Sequence, residues 1–133
     1  SVDSKYRLGD TSRPATSMKK IGEKLSEAQI IEAADYFAAL PFVAAKQSFD
    51  AEKAKIGEKI HLSKCEKCHA DGGSSASEDA AILAGQWTPY LRDASKHILN
   101  KTRDVDMQMS KKVDKLTDEE WDALLNYYAS QQD

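Results

Sequence analysis

Five consecutive residues, Cys65-Glu66-Lys67-Cys68-His69, constrain this chain more than any other feature. Two thiols three positions apart can bond the two vinyl groups of one porphyrin. The next residue, His69, is then held beneath the iron as its proximal ligand. C-x-x-C-H is therefore the attachment signature of a c-type haem. Other chemistries fit less well. A structural zinc ion takes about four Cys or His ligands, and the chain has two cysteines, with His69 locked beside Cys68. A thioredoxin-type redox pair needs a βαβ setting, and no alternating strand-like run occurs. A disulfide between Cys65 and Cys68 would close a very small loop and add little stability.

The 133 residues, 41% hydrophobic and 31% charged, suit one small soluble domain with an extension. No apolar run approaches the roughly 20 residues that span a bilayer. No charged-then-apolar leader stands at Ser1, so a signal peptide is expected to be absent from this chain. The net charge of −3 argues against nucleic acid as a partner. Residues 48–133 carry 12 Lys+Arg against 16 Asp+Glu, and residues 1–47 carry 7 against 6, so the acidity sits with the C-x-x-C-H motif.

The helix signals are clear, and no segment reads as a strand. Residues 1–17, with Gly9 and Pro14, read as a loop or arm. Ser26-Glu27-Ala28-Gln29 is a capping box, and Leu25 can staple onto Ile30. Ile30, Ala33, Ala34 and Phe37 then form one apolar face, which Pro41 ends. A second helix is expected from the N-cap Asp50 to about Leu62, with Ile56 and Ile60 inward. Gly57 within it costs about 1 kcal/mol against Ala, which a close helix crossing would offset. Residues 71–75 are glycine-rich loop, and Thr88 as N-cap with Pro89 opens a helix to about Asn100. Thr117 begins a second capping box and the closing helix. Trp87 and Trp121 read as core or staple residues.

Two segments repeat at an offset of 91 residues. Met18 aligns with Met109, Leu25-Ser26 with Leu116-Thr117, and Ile30, Ala33, Ala34 and Phe37 with Trp121, Leu124, Leu125 and Tyr128. Arg13 and Arg103 precede the two methionines by five and six residues. A matching Met and Arg ahead of both capped helices points to duplication rather than chance.

These residues together resemble the class I c-type cytochromes, and most closely the bacterial di-haem cytochromes of the c-four type. The resemblance covers residues 50–133: Gly57-Glu58, the C-x-x-C-H motif, Leu83-Ala84-Gly85-Gln86, Tyr90-Leu91, Arg103, Met109 and the closing helix. It implies an all-α class I cytochrome c fold wrapped around one haem, with an N-terminal helical extension. Residues 48–133 are then the haem domain. Residues 1–47 are an arm and helix left from a duplicated domain that lacks its haem motif. The family has Pro two residues before the Leu-Ala-Gly-Gln run, where this chain has Ala81. That change bears on the carbonyl that would hold the proximal histidine ring.

Met107, Met109, His61 and His97 are candidates for the sixth ligand. The family pattern places it seven residues before the Leu of the closing capping box, at Met109, and the same count from Leu25 reaches Met18. Met107 then reads as packing, His61 as a surface or capping residue and His97 as an ordinary mid-helix residue. The iron ligands are thus His69 and Met109. The resemblance sets Gln86, Tyr90 and Arg103 near the haem edge, while Met18 reads as vestigial packing. Lys64 and Lys67 flank the motif as docking charges or as plain solvated lysines.

The expectation is a periplasmic one-electron carrier, not an enzyme, with unidentified donor and acceptor proteins. The alternative is a cytochrome subunit of a larger redox enzyme such as a flavocytochrome sulfide dehydrogenase. In that case the N-terminal helix would dock on the catalytic subunit or form a homodimer. A gas sensor or peroxidase-like protein with a labile methionine is a third possibility.

Overall fold

The computed structural model describes residues 17–75 and 80–132. The expected arm up to residue 16, with Arg13, lies outside the described residues, as does the side chain of Met18. The described residues are helical and contain no strand. In chain order they form α1 (Ser17–Gly22), α2 (Glu27–Ala39), α3 (Ala51–Lys64), the short turn α4 (Ala70–Gly73), α5 (Thr88–Leu99), α6 (Met107–Val113) and α7 (Asp118–Ser130). No helix among them is long and apolar enough to cross a membrane.

The chain divides into two compact units. Ser1–Phe42 groups with Asn100–Asp104, and Val43–Leu99 groups with Val105–Asp133. In the first unit, α2 starts at the expected capping box: Ser26 Oγ accepts from Gln29 N at 3.3 Å, and Gln29 Oε1 accepts from Ser26 N at 2.9 Å. Its apolar stripe finds little cover. Ile30 and Ala33 are half-buried, Ala34 is exposed, and Phe37 is 68% exposed. The short α1 carries no sequence signal strong enough to have been expected.

The second unit is built on α3 and α7, which make the most extensive helix contact in the chain. Asp50 caps α3 by accepting from Glu52 N and Lys53 N. Thr117 and Glu120 complete the capping box of α7. The crossing is set by Gly57, where a Cβ would lie 2.1 Å from the Ala123 carbonyl oxygen and 2.7 Å from Tyr127 Cβ. Backbone meets backbone there, and no larger residue fits. The innermost residues of α3 are therefore Ala54, Gly57 and His61, all buried; of the two expected inward isoleucines, Ile60 packs against the core and Ile56 is exposed. Ile56 is 55% exposed and Ile60 half-buried. Small residues let the partner helix approach closely, and Ile56 is left at the flank. Leu124, Tyr127 and Tyr128 of α7 centre the core, with Ile60, Cys65, Leu83, Leu91 and Leu116 packed against them.

Two further starts differ from expectation. The first bond of α5 runs from Leu91 N to Trp87 O, so Trp87 is the cap and the helix begins at Thr88, one residue earlier than expected. Gln47 serves this end instead, accepting from Thr88 N and donating to the Gln86 carbonyl. Trp87 itself is 60% exposed, not core. Second, Met107 and Met109 lie on a helix, α6, that the helix signals did not include. Asp106 caps it by accepting from Gln108 N at 2.7 Å. Lys111 and Lys112 fall in its last turn, where cations suit the helix dipole.

Candidate haem site

Cys65 ends α3 as its C-cap, and the backbone N–H of His69 donates back to the Cys65 carbonyl at 3.0 Å. The motif is thus one tight turn at the end of the helix fixed by Gly57. Both cysteines are free thiols, Cys65 half-buried and Cys68 exposed. Burial pushes the Cys65 thiol upward in pKa. Among the described residues no three His, Cys, Asp or Glu side chains assemble into a metal site.

His69 is oriented from behind. Its Nδ1–H donates to the carbonyl of Ala81 at 2.9 Å. That bond fixes the proton on Nδ1 and leaves Nε2 with the lone pair a metal needs, as ligating histidines require. Ala81 stands where the family has proline, yet the acceptor is the backbone carbonyl, which Ala supplies equally well. The segment is tied down nearby. The Gly73 carbonyl accepts from Leu83 N at 2.8 Å and Ala84 N at 3.1 Å, and Gly85 N donates to the Tyr128 carbonyl at 2.8 Å. Gly85 has φ +67°, and a Cβ there would lie 2.6 Å from Ala44 Cβ. The Leu-Ala-Gly-Gln run is thus clamped onto the end of α7.

The two methionines of α6 separate cleanly. Residues two apart on a helix point about 200° apart. Met107 is 64% exposed, and Met109 is half-buried. The other sixth-ligand candidates are engaged elsewhere. His97 on α5 pairs with Asp93 at 3.6 Å.

His61 is a correction to the sequence reading. It is neither a surface nor a capping residue but has 0% exposure. Its Nδ1 shares a hydrogen bond with the Tyr128 hydroxyl at 3.0 Å, and its Nε2–H donates to Glu66 Oε2 at 2.6 Å. Both nitrogens are used, so it has none left for iron. Glu66 also accepts from Asp71 N at 3.0 Å and Gly72 N at 3.2 Å. The His61 bond, ahead of these two, draws the Glu66 carboxyl below its usual pKa. The spacing of His61 from Ala54 and Gly57, seven and four residues, was the available signal; a histidine leaves no mark in an apolar pattern.

Of the remaining expected residues, Gln86 is half-buried and Tyr90 is 46% exposed. Arg103 is half-buried within the segment that groups with the N-terminal unit. Lys64 pairs with Glu120 at 2.6 Å and so tethers α3 to α7, whereas Lys67 is exposed.

Paired free thiols on one helix-ending turn and, directly after them, an imidazole with its Nδ1 tied are the site of a c-type cytochrome of class I. Residues 52–127 match the family model described as cytochrome C oxidase, cbb3-type, subunit III, and the chain belongs to that family. Covalently bound haem c with its iron is the family's cofactor, and electron transport is its role. The fold is shared with cytochrome c4 of Acidithiobacillus ferrooxidans at 22% identity and a TM-score of 0.76, over 97% of this chain and 81% of that one. It is also shared with the thiosulfate dehydrogenase TsdBA of Marichromatium purpuratum at 23% identity and a TM-score of 0.74. The match covers 96% of this chain and 29% of the TsdBA chain. No curated protein matches.

Proposed function

We propose that the chain is a one-electron carrier with a single haem c, attached through Cys65 and Cys68 and ligated by His69 and Met109. The observation that carries this reading is the Nδ1–H bond of His69 to the Ala81 carbonyl, which presents Nε2 as a ligand beside two free thiols. Bound haem supplies a one-electron Fe(III)/Fe(II) couple. Cys65 and Cys68 would hold the ring, His69 would supply an imidazole ligand, and the soft neutral thioether of Met109 would favour reduced iron. If His69 and Met109 both ligated the iron, no coordination site would be left for a substrate, which supports a carrier over an enzyme. Gln86 and Tyr90 would line the haem edge, as the family resemblance implies. Residues 48–133 form the haem domain, and residues 1–47 are the remnant of a duplicated one. Because c-type haem is attached outside the bacterial cytoplasmic membrane, the location is the periplasm, and the partners are donor and acceptor proteins.

The Met109 assignment is tested by Met109→Ala and Met107→Ala in protein matured in a host that attaches c-type haem. Met109→Ala is expected to lose the methionine-to-iron charge-transfer band of the oxidised form and to bind carbon monoxide when reduced. Met107→Ala is expected to do neither. The reverse pattern would move the ligand to Met107, and carbon monoxide binding by the unaltered protein would favour a sensor or peroxidase-like role.

A second reading, as the haem module of a larger redox enzyme, is favoured by the exposed apolar side chains of α2, where Ile31 is 57%, Tyr36 62% and Phe37 68% exposed. Large apolar side chains left uncovered suit a docking partner, either a catalytic subunit or a second copy. Gel filtration of native extract separates the readings. A complex with a non-haem subunit supports the module, and a haem protein eluting without any other subunit supports the free carrier.

A further inference from the structure

His61 and Leu124 are the largest side chains with essentially no solvent access among the described residues. An imidazole placed there is costly unless both nitrogens are bonded, and both are. The His61 ring packs against Tyr127 and Tyr128, with ring centroids 5.3 and 5.5 Å away. Its Nε2–H anchors the Glu66 carboxylate, which protrudes from the interior with its side chain 34% exposed. The far side of that carboxylate takes the backbone N–H groups of Asp71 and Gly72.

Those two amides are not ordinary. Asp71 has φ 55° and ψ 46°, and Gly72 has φ 67° and ψ 19°. A left-handed non-glycine residue is uncommon, and here it directly follows the turn that carries His69. A single carboxylate therefore holds the backbone behind His69 in a conformation it would not otherwise favour. The other end of the network reaches the attachment site, because the Tyr128 hydroxyl bridges His61 Nδ1 and the Cys65 sulfur.

We propose that Glu66, anchored by His61, is a positioning residue for the proximal ligand, and that its fixed negative charge biases the iron toward the oxidised state. This rests on the reading of His69 as a haem ligand. A charge held in one place beside the haem acts on an iron that gains one positive charge on oxidation. Removing that charge raises the reduction potential. Removing the His61 donor while keeping the carboxylate leaves its charge less compensated and lowers the potential.

The test uses the mature haem protein and four forms: unaltered, Glu66→Gln, His61→Phe and, as a charge control on the exposed face of α3, Glu58→Gln. Glu66→Gln is expected to raise the midpoint potential by the equivalent of about tenfold in the oxidised-to-reduced ratio, or about 59 mV for one electron. Faster hydrogen exchange at the Asp71 and Gly72 amides should accompany it. His61→Phe keeps the ring shape and is expected to shift the potential the other way. Should Glu66→Gln fail to mature, the sign of the His61→Phe shift decides alone. If Glu66→Gln moves the potential no more than Glu58→Gln and the two amides stay protected, or if His61→Phe raises the potential, the proposal is overturned. An unaltered protein without covalent haem would instead overturn the ligand reading beneath it.

Discussion

A single methyl group at position 57 would strike the Ala123 carbonyl, which belongs to the backbone of α7 and cannot swing aside. Gly57→Ala gains about 1 kcal/mol in helix propensity but overpacks the crossing, which costs about 1–3 kcal/mol and more where backbone must move. The expected outcome is a net destabilisation of about 2 kcal/mol in denaturant unfolding of the haem protein. The sequence pointed to this glycine because glycine in mid-helix demands a compensating contact. His61 was opaque for the opposite reason. Its burial depends on two partners, Glu66 and Tyr128, that come together only once α3, α7 and the motif turn are assembled. Ala81 was misleading in a third way, since the side chain differs from the family while the acting group is the carbonyl.

At the scale of elements, α2 and α7 have matching caps and matching apolar stripes but different surroundings. Ala33, Ala34 and Phe37 of α2 align with Leu124, Leu125 and Tyr128 of α7, which are 1%, 2% and 3% exposed. The capping boxes, the apolar period and the N-cap Asp50 were legible because they are local. Which stripe would be covered was not, because cover comes from a partner such as the small-residue face of α3. Helix α6 was missed since its signal is one capping aspartate over seven residues. Truncation should read this difference directly. Leu124→Ala leaves a core cavity and is expected to cost about 2–5 kcal/mol. Phe37→Ala, in an exposed position, should stay within about 0.5 kcal/mol. Thermal melts of the two variants check both values.

Across the haem-bearing unit, ion pairs tie its helices together. Lys53 and Arg92 meet Asp122 at 2.7 and 3.3 Å, and Lys64 meets Glu120 at 2.6 Å. The hydrogen bond from Lys53 draws Asp122 below its usual pKa, that from Lys64 does the same for Glu120, and that from His61 for Glu66. For carboxyls lowered in the folded state, the stabilisation is present above their unfolded values, near pH 4, and is lost as pH falls through the lower folded values. The melting temperature should therefore hold from neutral pH to about pH 5 and drop below about pH 4. An unchanged melting temperature at pH 3 would show that these pairs contribute nothing. The account as a whole depends on haem joined to the motif by two thioether bonds. Intact mass of the matured protein, taken after extraction with acidified organic solvent, tests this directly. The predicted result is the chain plus one haem, reduced to the bare chain by replacing both Cys65 and Cys68 with serine. A bare-chain mass for the unaltered, fully matured protein would contradict it.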